Sequence, residues 1–136
     1  MKVNKQRIIK AIVVSVIAAS ALSVTAAAAS TYWFSFSVSG IGDCEYSGAI
    51  KETDNTSCSI MVDGGSSPSY PIYLATSSTN KGQGKINSST VTVSSNATRK
   101  YSASYLSSKT PHYGDPIYLK GWTGYYSTSL EGTWQP

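Results

Sequence analysis

After residue 30 the chain shows no helical period; short runs alternate apolar and polar residues instead, the pattern of strands with one buried face. The clearest run is Trp33 to Ser39, which places Phe34, Phe36 and Val38 on one side. Cys44 to Lys51 and Ser57 to Asp63 predict a second and third strand around the Asp54-Asn55-Thr56 turn. Tyr70 to Thr76 predicts a fourth, with Tyr70, Ile72 and Leu74 aligned, and Lys85 to Ser94 a fifth around Val91-Thr92-Val93. Arg99 to Ser107 aligns Tyr101, Ala103 and Tyr105, and Ile117 to Trp122 and Ser127 to Trp134 complete about eight strands. Glycine, proline and asparagine turns separate them, at Gly40-Ile41-Gly42-Asp43, Asp63 to Pro68, Asn80-Lys81-Gly82, Asn96-Ala97 and Pro111 to Pro116. This spacing predicts an all-β fold, a single antiparallel β-sandwich of immunoglobulin-like or jelly-roll type, with a small closed barrel as the alternative.

The first 29 residues break this pattern. Lys2, Lys5, Arg7 and Lys10 form a basic head, an uncharged apolar core runs from Ala11 to Leu22, and Thr25 to Ala29 are small. That order predicts a Sec-type secretory signal peptide over residues 1–29, helical before removal and cleaved after Ala28 or Ala29. A membrane anchor over Ala11 to Ala29 is the rival, but Ser15, Ser20, Ser23 and Thr25 interrupt that stretch, and Ala makes up eight of its nineteen residues. The sequence therefore predicts a secreted domain over residues 30–136, without stable membrane insertion after cleavage. The basic head and long core resemble the signal peptides of Gram-positive bacteria.

Composition sharpens the picture. The whole chain carries a net charge of +4, yet four of its eleven basic residues lie in the signal. The seven that remain are matched by seven acidic residues, so the exported domain is formally neutral. A neutral domain has no long-range field to attract nucleic acid or anionic lipid. Ser and Thr make up about a third of the domain, and ten Tyr, three Trp and two Phe supply much of its buryable area. Trp33, Trp122 and Trp134 are expected to serve mainly as core. Trp122, Tyr125, Tyr126 and Trp134 are the candidate ligand-contact aromatics, because large amphipathic rings suit stacking on sugars or anchoring a protein. One ring of the Tyr125-Tyr126 pair is expected to be exposed.

Cys44 and Cys58 are the only cysteines, and in an exported chain a disulfide between them is expected, with two reduced thiols as the alternative. A single histidine, His112, and no second cysteine pair leave no metal site. No Gly-x-Ser-x-Gly elbow, phosphate-cradling loop or dinucleotide fingerprint occurs, so neither catalytic residues nor a cofactor are expected. The carboxylate pairs Asp43/Glu45 and Glu52/Asp54 are the nearest approach to a glycosidase acid pair, and loop charge or a weak calcium site accounts for them better.

The signal, the opening Phe34-Ser35-Phe36 strand, the Lys51-Glu52-Thr53-Asp54-Asn55 turn, the Tyr118-Leu119-Lys120-Gly121 strand and the terminal Gly132-Thr133-Trp134 together resemble small exported proteins of Gram-positive bacteria that share a domain of unknown function. Glu131 to Gln135 is similar to a stretch of the lactococcin-like bacteriocins, small β-rich exported toxins. The resemblance implies an extracellular protein and supplies no catalytic residues. Three functions follow as expectations. The first is a non-enzymatic protein that binds an envelope component, glycan or protein, at or outside the cell surface. The second is a bacteriocin-like toxin, and the third a secreted hydrolase.

Overall fold

The computed structural model describes residues 29–64, 70–81, 85–94 and 98–136. The expected signal helix lies outside these residues, as do Gly82, the Asn96-Ala97 turn and most of the Asp63 to Pro68 turn. All eight predicted strands form: β1 (Tyr32–Gly40), β2 (Cys44–Ile50), β3 (Ser57–Gly64), β4 (Ile72–Ser77), β5 (Val91–Val93), β6 (Arg99–Ser104), β7 (Pro116–Trp122) and β8 (Tyr126–Gln135). Among the described residues no helix is long and apolar enough to cross a membrane. β5 is shorter than the alternation predicted. Ile86 and Ser88 make only single bridges, to Ser77 and Tyr105, because Asn87 between them is buried and accepts a hydrogen bond from the Thr76 hydroxyl.

The strands form two antiparallel sheets of four. The first has the order β1-β8-β3-β6 and the second β2-β7-β4-β5. The pairings β1·β8, β2·β7, β3·β6 and β4·β5 nest one inside the next, so the chain runs as one long hairpin with β4 and β5 at its tip. Two further pairings, β3·β8 and β4·β7, draw each half of that hairpin into its sheet.

Alternation decides which side of each strand is buried. Phe34, Phe36, Val38, Ile60, Val62, Leu130 and Trp134 of the first sheet join Ile72, Leu74, Val93, Ile117 and Leu119 of the second in one cluster. Each large side chain in it contributes about 1.5–3 kcal/mol by leaving water. The sheets approach closely at Gly121, where a Cβ would come 2.4 Å from the Phe36 ring. Only glycine fits there, and β7 gives up a side chain so that a phenylalanine from β1 can sit against its backbone.

Sheet edges expose unpaired backbone, and here side chains cover them. Along β1, the Ser37 amide donates to Glu45 Oε2 at 3.1 Å and the Ser39 amide to Asp43 Oδ2 at 2.8 Å. The Ser47 hydroxyl donates to the Trp33 carbonyl at 3.0 Å and accepts from Trp134 Nε1 at 3.1 Å. At the opposite corner the Ser89 amide donates to the Ser104 carbonyl, and the Ser104 amide to Ser89 Oγ. Farther along, Glu52 accepts from the Ser30 amide at 2.8 Å and from the Tyr32 hydroxyl at 3.3 Å. Three of the four carboxylates considered as acid pairs therefore fasten edges. Hydrogen bonds from the Ser39 amide and hydroxyl hold Asp43 below the usual carboxylate range, and those from the Ser30 hydroxyl and amide do the same for Glu52.

The disulfide does not form; Cys44 and Cys58 are not bonded to each other. The expectation assumed that β2 and β3 pair as a hairpin, but they belong to different sheets. Cys44 stands opposite Trp122 on the outer side of the second sheet, with its thiol 3.6 Å from the Tyr46 hydroxyl. Cys58 points into the core from the first sheet, beside Ala103. The two thiols lie on opposite sides of a packed layer. Trp33 is a second correction: it is 58% exposed, because the alternation that buries Phe34 and Phe36 turns it outward.

A candidate ligand-binding aromatic face

The outward positions of the second sheet follow from its register. β7 sends out Tyr118, Lys120 and Trp122, which stand opposite Gly48, Tyr46 and Cys44 of β2 on one side. On the other side they stand opposite Ser77, Ala75 and Tyr73 of β4. Four aromatic rings thus share one face. Tyr73 and Trp122 lie 5.8 Å apart between centroids, and the Tyr118 ring covers Gly48, where a Cβ would sit 3.2 Å from it. The ammonium of Lys120 lies 5.2 Å from the Trp122 ring centroid and 6.0 Å from that of Tyr46. Lys120 is only 4% exposed. Among the described residues, no hydrogen bond or ion pair reaches its ammonium beyond these two ring contacts.

Past the end of β7 the aromatic surface continues. Thr123 Oγ1 accepts from the Tyr125 amide and donates to the Pro71 carbonyl, tying the β7–β8 turn to the start of β4. This tie holds Tyr70 and Tyr125 stacked at 5.2 Å, with the Tyr126 ring 5.3 Å from Tyr70.

Of the candidate aromatics, Trp122 is half-buried in this face and Tyr125 and Tyr126 extend it. Both tyrosines are exposed, at 47% and 70%, where one was expected. Tyr125 lies in the turn before β8, so strand alternation does not apply across the pair. Trp134 is elsewhere. It is 1% exposed and packs in the core, with its indole N–H satisfied by Ser47. Sequence reasoning missed Tyr46, Tyr73, Tyr118 and Lys120 as members of the face. The signal was present, since period two along Tyr118-Leu119-Lys120-Gly121-Trp122 puts Tyr118, Lys120 and Trp122 on one side.

A second lysine is buried at the other end of the core. Lys51 is fully buried; its ammonium donates to the Asn55 carbonyl at 3.0 Å and Thr53 Oγ1 at 3.3 Å, and lies 4.8 Å from the Tyr105 ring centroid. Burial lowers the Lys51 pKa, while the charges of Cys58 and Asp54 act in the opposite sense. Burial raises the Cys58 thiol from 9.0 to about 11 and pushes the Tyr105 phenol well above its ordinary value.

Two hollows lie outside the aromatic face. One of about 460 Å³ is lined by Ser78, Lys85, Asn87, Lys109, Thr110 and Asp115. Another of about 200 Å³, around Met61 and Lys100, lies on the first sheet. His112 is exposed near the larger one, and its backbone amide rather than its ring meets the Asp115 carboxylate, at 2.8 Å. Compared with known proteins, the chain matches no family model, no curated protein and no solved structure.

Proposed function

We propose that this protein is an exported, non-enzymatic binding domain that holds a glycan of the cell envelope across the outward face of β2, β7 and β4. We also propose that its two sheets form a jelly-roll sandwich, since nested pairings between successive outer and inner strands are how an eight-stranded roll is made. The observation that carries the functional reading is the concentration of Tyr46, Tyr73, Tyr118 and Trp122 on one face, continued by Tyr70, Tyr125 and Tyr126. Sugar rings present C–H faces that stack on aromatic rings, and phenolic hydroxyls at the rim donate to and accept from sugar hydroxyls. An extended row of rings suits a chain ligand better than a single small molecule, which prefers a deep pocket. The signal peptide supports an extracellular site of action, and the neutral charge of the exported domain speaks against nucleic acid.

The test is retention of the purified exported protein on insoluble cell wall and on a printed glycan array. Trp122→Ala should abolish retention while leaving the far-ultraviolet circular dichroism unchanged. Retention that survives this substitution, or growth inhibition of related bacteria without glycan binding, would displace this reading, the latter in favour of a bacteriocin-like toxin.

A further inference from the structure

We infer that the glycan on this face is acidic, and that Lys120 receives its anionic group between the rings of Trp122 and Tyr46; this rests on the glycan reading above. A buried ammonium is costly unless partners replace the water it has lost. Lys51 shows what replacement looks like in this protein: a carbonyl, a hydroxyl and a ring all meet its ammonium. The Lys120 side chain is almost as deeply enclosed, but its ammonium, which among the described residues meets two rings alone, still reaches the surface of the face. Its three N–H donors meet no carboxylate or carbonyl.

The location of this unpaired charge is specific. Cross-strand neighbours set it in the middle of the aromatic face, between Tyr46 and Ala75, rather than at the rim. A saccharide stacked on Trp122 would bring a ring substituent over Lys120. A negatively charged oxygen there gains a charge-assisted hydrogen bond in surroundings drier than bulk water, where such a bond is strong. A neutral sugar hydroxyl would leave the ammonium without a counter-charge. The ligand chemistry is therefore a saccharide bearing an anionic oxygen, supplied either by a uronic-type carboxylate or by a phosphodiester between polyol units.

The experiment places the purified exported protein on an array of neutral glycans, uronate-bearing glycans and poly(glycerol phosphate), alongside its Trp122→Ala and Lys120→Met variants. The expected result is binding to acidic probes only, weakened at least about tenfold by Lys120→Met and lost with Trp122→Ala. Which acidic arm binds identifies the source of the charge. Wild-type binding should also weaken several-fold as salt rises from about 0.05 to 0.5 M, a readout that needs no variant. Equal binding of neutral probes, or unchanged binding by a folded Lys120→Met, overturns the acidic ligand and leaves the aromatic face intact. An array on which nothing binds overturns the glycan reading and this inference with it.

Discussion

Two lysines of this small domain are almost entirely enclosed, and they differ in what encloses them. Lys51 closes one end of the core, where the Asn55 carbonyl, Thr53 hydroxyl and Tyr105 ring replace its water. Lys120 sits in an outward sheet face with rings beside it and no hydrogen-bonding partner among the described residues. The first arrangement pairs the ammonium internally and locks the Lys51 to Asn55 turn, although the Tyr105 hydroxyl beside it is buried without a partner. The second leaves an ammonium at the surface of the face, where the proposed ligand would meet it. Burial of the side chain alone does not separate these two lysines; the partners of the ammonium do.

This contrast can be broken at either lysine. Lys51→Ala removes two charged hydrogen bonds and opens a cavity, and should cost about 2–4 kcal/mol in urea unfolding. Lys120→Met keeps the apolar stem and deletes an ammonium that meets only rings and solvent, so its stability should stay within about 1 kcal/mol of wild type. Comparable losses at both positions would end the distinction.

The surroundings of Lys51 give the next largest effect. Burial raises the Cys58 pKa from 9.0 to about 11, so on alkalinisation the unfolded chain releases this proton before the folded one does. The stabilisation is whole below about pH 9 and is lost as pH rises to about 11, a change of about 2–3 kcal/mol. Lys51 acts in the opposite sense, because its lowered pKa lets the folded state shed a proton first. The Cys58 contribution is therefore read as the difference between wild type and Cys58→Ala across pH 8.5 to 11. A difference that does not change with pH would mean the thiol is not sealed.

On the Lys120 side, Trp122→Ala should weaken glycan binding by at least about 30-fold, the cost of a central hot-spot ring and enough to lose retention. The paired substitution Ser59→Ala/Ser102→Ala, on the outer face of the first sheet, should change it less than twofold. The smallest effect separates the two thiols. Iodoacetamide should modify Cys44 alone in the native protein and Cys58 only after unfolding, as read by mass. A native species lacking two titratable thiols would restore the disulfide.

Much of this architecture was legible in the sequence, and the reasons for the misses are physical. Period-two alternation located all eight strands, because a strand with one face in the core must alternate. Strand pairing was not legible. Cys44 and Cys58 lie on strands adjacent in sequence, but long-range pairing with β7, β6 and β8 sends them to opposite sides of a layer. The aromatic face was legible only in part. Trp122, Tyr125 and Tyr126 stood out as large amphipathic rings, with Trp122 expected mainly in the core, whereas Tyr46, Tyr73 and Lys120 become neighbours only through the register of three strands. Trp33 and Trp134 carry the same ring to opposite fates, one outward and one into the core, according to parity along their strands.

The nested pairing has a consequence for how the chain comes to be folded. β1 finds its sole ladder partner in β8, about 90 residues later, and β2 waits in the same way for β7. Contacts this distant in sequence slow folding, because a long loop must close before any ladder rewards it. The first strand therefore has nowhere to settle until the last has emerged. Such pairing delays folding, and the proposed export, which would thread the chain through a membrane before it folds, would be served by that delay.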